Sequence, residues 1–541
     1  MHSTKSRIIR YLLNSWFYIF LITIIVSGIT LRCIHIDGRL YWGDEIFTSL
    51  RIAGYGSAEL IQELVNKSIA NVTDLMVYQQ PSLIRGLGGT LQGLITEEPQ
   101  HAPIYFLLAN IWTYWFQDFG NSVLVVRSFS VFISLLSFPC LYWLCLELFR
   151  SQLVGLIAMA MMSVSPFHLI YSQEARPPAL WFLVTILSSA SLLRALRLNT
   201  NFSWFIYTIS AILNLYSFLL SVFVLASHGV YIAITQGFRL TKRTIAYLIT
   251  MLVCLLAFLP WILIIVSQFS MANNATGWSS DRIGSFNLLR RALNNLRDVF
   301  FSIGDGYAYL TFLLILLTVF SLYFLVVNSP PSIWGFVFSL IGVTLITSFI
   351  PDFIMGGKVF SATSRYFIAL YLGVNLSFAY LFYSHLNTIN TWLNNLFKSI
   401  ATALLILGLI SCISITQSDA SFNVATFGNS KKLAEIINKY DHPLIIISAK
   451  TAKPHCQIAD NIVAAISLSY HLRSDAQFYF VDDPLQFELR PIKNAKNYFV
   501  HGGDSKYIVD FLSTKYKSKL LFGDLKNQCA SQDLWYLDGM S

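Results

Sequence analysis

Charged residues are scarce in this chain of 541 residues, where they make up only 12%. Soluble globular proteins carry about 25% charged residues. Hydrophobic residues, by contrast, reach 55%, and the mean hydropathy is +0.59. This composition excludes an ordinary soluble protein and indicates a multi-pass membrane protein.

Sequence signals for several other classes of protein are also missing. The net charge of +9 comes without a cluster of Lys and Arg interleaved with aromatic residues on a soluble segment, which argues against a nucleic-acid partner. No His and Cys spacing resembles a structural zinc site. The glycine-rich stretch IRGLGGTLQG at 84–93 lacks the Lys-Ser/Thr ending of a phosphate-binding loop, so the sequence predicts a mobile loop there.

The seven cysteines do not form the framework of a disulfide-rich protein. Four lie in apolar runs, where a free thiol is a small apolar group: Cys140, Cys145, Cys254 and Cys412. Cys456 and Cys529 lie in a segment expected to face outward, into an oxidising compartment in many bacteria. A disulfide between these two is a hypothesis.

Apolar runs of about 20 residues are typical of membrane spans, because a helix rises about 1.5 Å per residue and the hydrocarbon core is about 30 Å thick. The first run is long for a signal peptide and ends without a cleavage site, so we expect it to be retained. The sequence predicts eleven spans, at 11–31, 122–149, 152–168, 178–195, 203–218, 219–236, 244–267, 307–328, 332–350, 366–384 and 399–416.

The segment PIYFLLANIWTYWFQ at 103–117 is apolar but short, with about 15 residues or roughly 22 Å of helix. If it does not cross the membrane, the basic groups flanking the spans fall on one side, which is then the cytoplasm. We therefore expect a juxtamembrane helix here and a cytoplasmic N-terminus in the plasma (inner) membrane. The outward segments are then 32–121, 169–177, 268–306, 351–365 and the tail from 417.

The tail differs in composition from the rest of the chain, since charges become frequent and apolar runs shorten to strand length. Helical and strand patterns alternate from KKLAEIINKY and PLIIISAK to KYIVDFLSTKY and KLLFG. Such alternation predicts a small α/β domain. We thus expect an α-helical transmembrane domain over 1–416, including the outward loop 32–121, and an outward-facing soluble α/β domain over 417–541.

Two adjacent acids, Asp44 and Glu45, follow an aromatic pair in RLYWGDEIFTSL at 39–50. Asp44 suits a helix N-cap, because apolar residues at helical spacing follow it, but this explains Asp44 alone. Charges on two other outward loops, IYSQEARPP and MGGKVFSATSRYF, reach the same membrane face: Glu174, Arg176, Lys358 and Arg365. Surface charges also converge by chance, so charge alone does not establish a functional cluster.

Transfer of a sugar from a lipid phosphate is a reaction that would use such a set. The leaving group is a stable phosphate anion, which needs cationic or metal stabilisation rather than a general acid. The acceptor hydroxyl is a poor nucleophile and benefits from a carboxylate that takes its proton. Arg binds phosphate oxygens in pairs, and Lys supplies a point charge.

Several stretches of the chain occur together in a recognisable order: YWGDEIFTSLRIAG, EEPQHAPIYFLL, FGNSVLVVRSFSVF, SPFHLIYSQEAR and SRYF. They resemble the membrane-embedded glycosyltransferases of the C-type superfold, nearest to bacterial relatives of protein O-mannosyltransferases and lipid A aminoarabinose transferases. The likeness extends over residues 10–200. After residue 200 it consists only of the predicted topology and the motif SRYF. It implies a cell-envelope enzyme that moves a hexose or pentose from a polyprenyl-phosphate carrier to a lipid, glycan or protein acceptor on the non-cytoplasmic face.

The resemblance also implies roles for single residues. Asp44 matches the catalytic carboxylate of the first loop and Glu45 the acid after it, so both are predicted to be catalytic. Arg127 matches the arginine of the second span, although a side chain at this place could also reach the membrane interface. The predicted substrate-binding residues, of which Lys358 rests on its charge alone, are His101, Glu174, Arg176, Lys358, Arg365 and Tyr366.

One departure from the family pattern concerns the second of these loops. Pro177 and Pro178 follow QEAR, where relatives usually show an aromatic residue.

The sequence assigns no cofactor and predicts no protein-bound catalytic metal. Asp44 and Glu45 could nevertheless help to bind one divalent cation, because carboxylates are ligands for such ions. A transporter or flippase of a lipid-linked sugar is the alternative, but transporters place ionisable groups near the bilayer midplane and often show paired broken helices. The predicted spans are nearly free of such charge and show no repeat. A receptor that binds through its tail is a third interpretation. The sugar and the acceptor stay open.

Overall fold

The computed structural model of the chain describes residues 2–82, 84–302, 308–386, 391–417, 429–449, 459–483, 492, 495–502, 504–513, 515–523 and 533–538. Cys456 and Cys529 lie outside these residues, and so does the proposed disulfide between them.

Within the described residues the chain is mostly helical, with one sheet. The helices are α1 (His2–Cys33), α2 (Gly43–Ile52), α3 (Ser57–Lys67), α4 (Val72–Met76), α5 (Gly86–Glu97), α6 (Ile104–Phe116), α7 (Ser122–Phe149), α8 (Gln152–Ser163), α9 (Pro166–Ser172), α10 (Pro178–Leu198), α11 (Asn201–Ser217), α12 (Ser221–Thr235), α13 (Lys242–Ser267), α14 (Phe269–Ala275), α15 (Ser285–Asp298), α16 (Ala308–Asn328), α17 (Pro331–Thr344), α18 (Ile350–Ile354), α19 (Val359–Ala362), α20 (Ile368–Leu386), α21 (Thr391–Gln417), α22 (Ser430–Ile437), α23 (Ala459–Ser469) and α24 (Ser505–Leu512). The strands are β1 (Ile69–Asn71), β2 (Pro443–Ser448), β3 (Gln477–Val481), β4 (Asn497–His501), β5 (Lys517–Phe522) and β6 (Leu534–Asp538).

Eight helical segments of the described chain are long and apolar enough to cross a membrane, and each overlaps one of the predicted spans. A ninth is counted if α8 and α9, which meet at an angle of 68°, form one broken span. The chain is therefore a multi-pass membrane protein. The eight segments are Trp16–Cys33, Ser122–Phe149, Pro178–Leu198, Lys242–Ser267, Ala308–Asn328, Pro331–Ile354, Ser364–Leu386 and Trp392–Gln417.

The predicted count of eleven spans is not confirmed. The runs at 203–218 and 219–236 form α11 and α12, which have only 17 and 15 residues, below the length of about 20 that a straight span needs. The run at 152–168 breaks at Ser165 and Pro166. The Ser165 hydroxyl accepts a hydrogen bond from the His168 N–H, and proline fits the first turn of the new helix because it lacks a donor there.

The chain divides into two compact units. The first contains Met1–Ile36, Glu98–Tyr105 and Ser130–Gln417, and the second contains Asp37–Glu97, Phe106–Phe129 and Ser418–Ser541. The second unit thus joins most of the segment 32–121 to the C-terminal segment, whereas the division expected from the sequence placed 32–121 with the spans.

The second unit is built on a six-stranded sheet of order β1-β3-β2-β4-β6-β5. The central strands β3, β2 and β4 are parallel, and β1, β6 and β5 are antiparallel to their neighbours. Strand β2 is buried along its whole length, which is typical of a strand covered on both faces. The small α/β domain predicted from the tail is confirmed, with α22, α23 and α24 as its helices.

Strand β1 explains why the first loop belongs to this unit. It comes from the segment 32–121 and pairs with β3, so that Ile69 lies opposite Tyr479 and Asn71 opposite Gln477. Helix α2 from the same loop packs against α23. The loop and the tail therefore share one core.

The prediction of a mobile loop at 84–93 is wrong, because Gly86 begins helix α5. Leu94 and Thr90 of this helix are fully buried. A Cβ atom on Gly89 would lie 2.8 Å from the carbonyl oxygen of Gly54, so glycine here permits close packing rather than mobility.

Glu97, at the end of α5, is held by the N-terminus of α3 and by a buried arginine. Its Oε2 accepts from Arg51 Nη2 at 2.6 Å and from the Ser57 N–H at 2.7 Å, and its Oε1 accepts from the Ala58 N–H at 3.2 Å. Burial alone would raise the pKa of this carboxyl, but the Arg51 charge and the two N–H donors outweigh burial and lower the pKa. The carboxylate form is therefore preferred in the folded protein.

Replacing Glu97 by Gln is expected to lower the free energy of unfolding by about 1–3 kcal/mol at neutral pH, the usual contribution of hydrogen bonds to a charged group. Because the pKa is lower in the folded state, this stabilisation is present above the unfolded pKa of about 4.3 and disappears as the pH falls through the folded pKa. The apparent unfolding temperatures of both proteins should thus converge in acid. Glu59→Gln, which removes the exposed pair with Arg85, is the control and should cost below about 1 kcal/mol. Equal effects of the two substitutions would contradict this account.

Candidate functional site

The predicted catalytic acids lie at the start of α2 in the second unit. Glu45 is fully buried and forms a two-point ion pair with Arg127 of α7, with Nε to Oε1 at 2.8 Å and Nη2 to Oε2 at 2.7 Å. Arg127 also donates to the carbonyl oxygens of Arg39 at 3.0 Å and Leu40 at 2.9 Å. The Arg127 side chain is therefore buried rather than exposed at the surface, and it fixes the entry to α2.

Asp44 lies directly before this ion pair, in the first turn of α2, and its side chain is half-buried. The N-terminus of a helix favours a negative charge, because its N–H groups point outward unpaired. The neighbouring Glu45 and Arg127 hold the backbone in place while Asp44 stays accessible. Asp44 is thus an ionisable group that a rigid support presents at a surface.

Two aromatic residues border the same turn. Trp42 is 7% exposed, and its indole N–H has no acceptor among the described residues. Tyr41 hydrogen-bonds to the Ser49 hydroxyl and donates to the carbonyl oxygen of Glu45 at 3.1 Å. Burial first, and then the nearby Tyr470 and Glu45, raise the pKa of Tyr41 well above its usual value, so its O–H stays a donor.

The QEAR loop lies in the first unit, between α9 and α10. The Gln173 amide donates to three carbonyl oxygens at the end of α1, those of Leu31, Arg32 and Ile34, at 2.9–3.1 Å. Glu174 and Arg176 are buried, at 4% and 7% exposure. Gln173 therefore anchors this loop to the first span.

Arg32, which no sequence motif singled out, stabilises the break before that loop. Its guanidinium donates to the Met162 carbonyl at 2.8 Å and to the Ser163 carbonyl at 2.5 Å, where α8 ends. It also donates to Gly28 O at 2.8 Å and Ser134 Oγ at 3.2 Å. Carbonyl groups released by a helix break inside a membrane need such partners. Arg32 is thus a positioning residue for α9 and the loop after it.

Lys358, Arg365 and Tyr366 lie on one segment of the first unit. Lys358 precedes α19, and its backbone forms a bridge with Arg282. Arg365 and Tyr366 lie in a short 3-10 helix, Ser364–Phe367, and the Arg365 guanidinium is 5.6 Å from the centre of the Tyr366 ring. All three residues are half-buried.

This segment lies next to the helices that flank the QEAR loop. Tyr171 of α9 hydrogen-bonds Ser364 at 3.2 Å between their hydroxyl oxygens. Phe218 stacks on Trp181 of α10, with ring centres 4.5 Å apart, and its ring lies 6.1 Å from that of Tyr366. The structure thus brings the two cation-bearing segments of the first unit together.

His101 is half-buried and lies in a turn, where its backbone N–H donates to the Glu98 carbonyl at 2.9 Å. It belongs to the first unit. Among the described residues, no group of three or more His, Cys, Asp or Glu side chains is arranged to hold a metal ion.

The predicted site residues therefore form two groups. Asp44 and Glu45 lie with Arg127 in the second unit, and the six residues predicted to bind substrate lie in the first. Arg32 could be recognised only from the contacts that it makes, and Arg127, which a motif had indicated, shows its pairing with Glu45 only in the structure. The sequence signal for the break near Arg32 was the Ser165-Pro166 pair within a predicted span.

Comparisons with known proteins identify the class of fold. The chain has the C-type fold of membrane glycosyltransferases, because it superposes on ArnT from Cupriavidus metallidurans bound to undecaprenyl phosphate. The TM-score is 0.51, and the alignment covers 96% of this chain and 98% of that chain at 11% sequence identity. The predicted fold class is thus confirmed. ArnT from the same organism in the apo state aligns over 81% of this chain and 87% of that chain, with a TM-score of 0.45 and 11% identity.

The sequence itself matches one family model. Residues 100–264, less than a third of the chain, match the family described as dolichyl-phosphate-mannose-protein mannosyltransferase. This stretch includes His101, Arg127, Glu174 and Arg176, and it confirms the resemblance inferred from the motifs. A comparison with the curated proteins gave no match.

Proposed function

We propose that this chain is a membrane glycosyltransferase that takes a sugar from a polyprenyl-phosphate carrier and transfers it to an acceptor hydroxyl on the non-cytoplasmic face. The observation that carries the proposal is the family match at residues 100–264, because the named family transfers mannose from a dolichyl phosphate. The ArnT fold, in a protein crystallised with undecaprenyl phosphate, supports the same class of carrier.

Asp44 is the proposed general base. It is half-buried in the first turn of α2, and the Glu45–Arg127 pair beside it fixes the backbone. A base of this kind takes the proton of the acceptor hydroxyl as the new glycosidic bond forms. Glu45 is fully buried within its ion pair, which favours a role in positioning Asp44 over contact with the substrate.

Arg365, with Lys358 and Arg176, is the proposed clamp for the carrier phosphate. As the bond between the sugar and the phosphate breaks, negative charge grows on the phosphate, and fixed cations stabilise it. Arg365 and Lys358 are half-buried, whereas Arg176 is 7% exposed. We therefore assign direct contact with phosphate first to Arg365 and Lys358.

The remaining predicted residues receive supporting roles. His101, Glu174 and Tyr366 are assigned to binding of the sugar or the acceptor. A divalent cation held by Asp44 would be an additional source of positive charge at the phosphate. The proposed orientation places the N-terminus in the cytoplasm and the C-terminal segment outside an inner membrane, in accordance with the distribution of Lys and Arg.

The function is tested with the purified full chain in lipid nanodiscs and a panel of undecaprenyl-phosphate-linked hexoses and pentoses with a radiolabelled sugar. We expect one donor to be consumed, with free undecaprenyl phosphate released and the label transferred to a membrane-lipid or glycan extract. The other donors and heat-inactivated protein are the controls. Failure to cleave any donor would refute the proposal. Movement of intact donor across a vesicle membrane without cleavage would support a transporter instead.

A further inference from the structure

The second unit contains a cavity of about 610 Å³ that lies beside α2, apart from Asp44 itself. Small-molecule sites usually have volumes of about 300–1,000 Å³. The first outward loop, the region between α6 and α7 and the end of α23 form its walls. The lining residues that carry the argument are Arg39, Tyr41, Gln79, Gln80, Asn121 and Tyr470.

The inner wall of the cavity is aromatic and amide in character. The rings of Tyr41 and Tyr470 meet edge to face, with centres 5.3 Å apart. Tyr470 donates to the Gln79 side-chain oxygen at 3.4 Å, and Gln79, only 2% exposed, donates to the Tyr78 carbonyl at 3.2 Å. These contacts fix the wall before any ligand binds. Gln80, Gln117 and Asn121 lie at the exposed rim.

The charges that line the cavity do not favour an anion. Two acidic residues, Asp37 and Asp118, line the cavity together with one arginine, Arg39. His471 adds no positive charge near neutral pH, because burial first, and then the charge of Lys431, lower its pKa. Asp37 accepts from the Asn121 amide at 2.8 Å. The lining therefore suits a neutral, hydroxyl-rich ligand better than a lipid phosphate.

A sugar unit has the chemistry that this lining recognises. Each sugar hydroxyl both donates and accepts, as amide groups do, and carboxylates accept from it. Apolar side chains such as Val123 and Ile52 offer contact for the C–H faces of a sugar ring. Tyr41 also donates to the carbonyl oxygen of Glu45, so a ligand here would touch a residue bonded to the helix that carries Asp44.

We propose that this cavity is a carbohydrate-binding subsite that holds a neutral sugar unit of the acceptor. The assignment of this sugar to the acceptor rests on the proposed function, whereas the binding of a sugar in the cavity does not depend on it. The site also gives the C-terminal segment a part in substrate binding, because Tyr470 and His471 belong to that segment.

Saturation-transfer difference NMR on the full chain in nanodiscs tests the proposal. The probes are the methyl glycosides of glucose, galactose, mannose, N-acetylglucosamine and arabinose. Gln80→Trp fills the cavity from its exposed rim, where a substitution leaves the core intact. Gln62→Trp, the same change at an exposed position of α3 outside the cavity, is the matched control.

We expect saturation transfer to at least one glycoside with the unchanged protein and with Gln62→Trp, and binding weakened about tenfold or more in Gln80→Trp. The unfolding temperature of each variant checks its fold. Absence of transfer to all probes, equal binding by Gln80→Trp, or displacement of the glycoside by inorganic phosphate would overturn the proposal. Donor cleavage is measured on the same preparation. Cleavage without glycoside binding refutes only this subsite, and glycoside binding without cleavage refutes only the proposed function.

Discussion

Asp44→Asn is expected to lower the rate of sugar transfer by about 10²- to 10⁴-fold, the usual contribution of a general base. The amide has nearly the same shape as the carboxylate but cannot take the proton of the acceptor hydroxyl. Donor binding should persist, because the proposed phosphate contacts come from other residues. Transfer of radiolabelled sugar, binding of undecaprenyl phosphate and thermal unfolding are measured on the same preparation.

Two comparisons make this result specific. Asp510→Asn, the same change at an exposed position of α24, should leave transfer unchanged. Glu45→Gln should lower the unfolding temperature as well as the rate, since it weakens a buried ion pair, whereas Asp44→Asn should lower the rate alone. Full transfer activity in Asp44→Asn would eliminate Asp44 as the base.

The spans and the tail were predictable because their signals are local. A run of apolar residues such as 244–267 identifies a span by length alone, and PLIIISAK becomes β2, a strand buried on both faces. Strands β4 and β6, with five residues each, were not predicted. Strand β1 has three, and only its pairing with β3, about 400 residues along the chain, makes it a strand.

The sequence predicted which residues belong to the candidate site, but it did not predict the contacts that these residues make. The motifs indicated Asp44, Glu45 and Arg127, yet no local pattern could show that Glu45 and Arg127, 82 positions apart, form a buried pair. Arg32 had no motif at all, because its role is to bind carbonyl oxygens at a break in another helix. Such roles depend on tertiary contacts, which a single sequence does not record.

Arg127→Ala is expected to destabilise the protein by about 3–5 kcal/mol, because it leaves the Glu45 carboxylate buried without its partner. It also removes the donors to the Arg39 and Leu40 carbonyls, so the entry to α2 should loosen. We expect a lower yield of folded protein in detergent, a lower unfolding temperature and the loss of sugar transfer.

The control for this prediction is Arg85→Ala. Arg85 forms an ion pair with Glu59, in which the Arg85 side chain is 30% exposed and the Glu59 side chain 41% exposed. Exposed pairs contribute about 0–1 kcal/mol, so the same substitution should have little effect there. The double change Arg127→Met with Glu45→Leu removes both buried charges and should be less damaging than Arg127→Ala alone, since apolar replacement of a buried pair is often neutral. If the double variant folds stably but transfers no sugar, the pair serves to position Asp44. If Arg127→Ala is as stable as Arg85→Ala, the pair does not support α2.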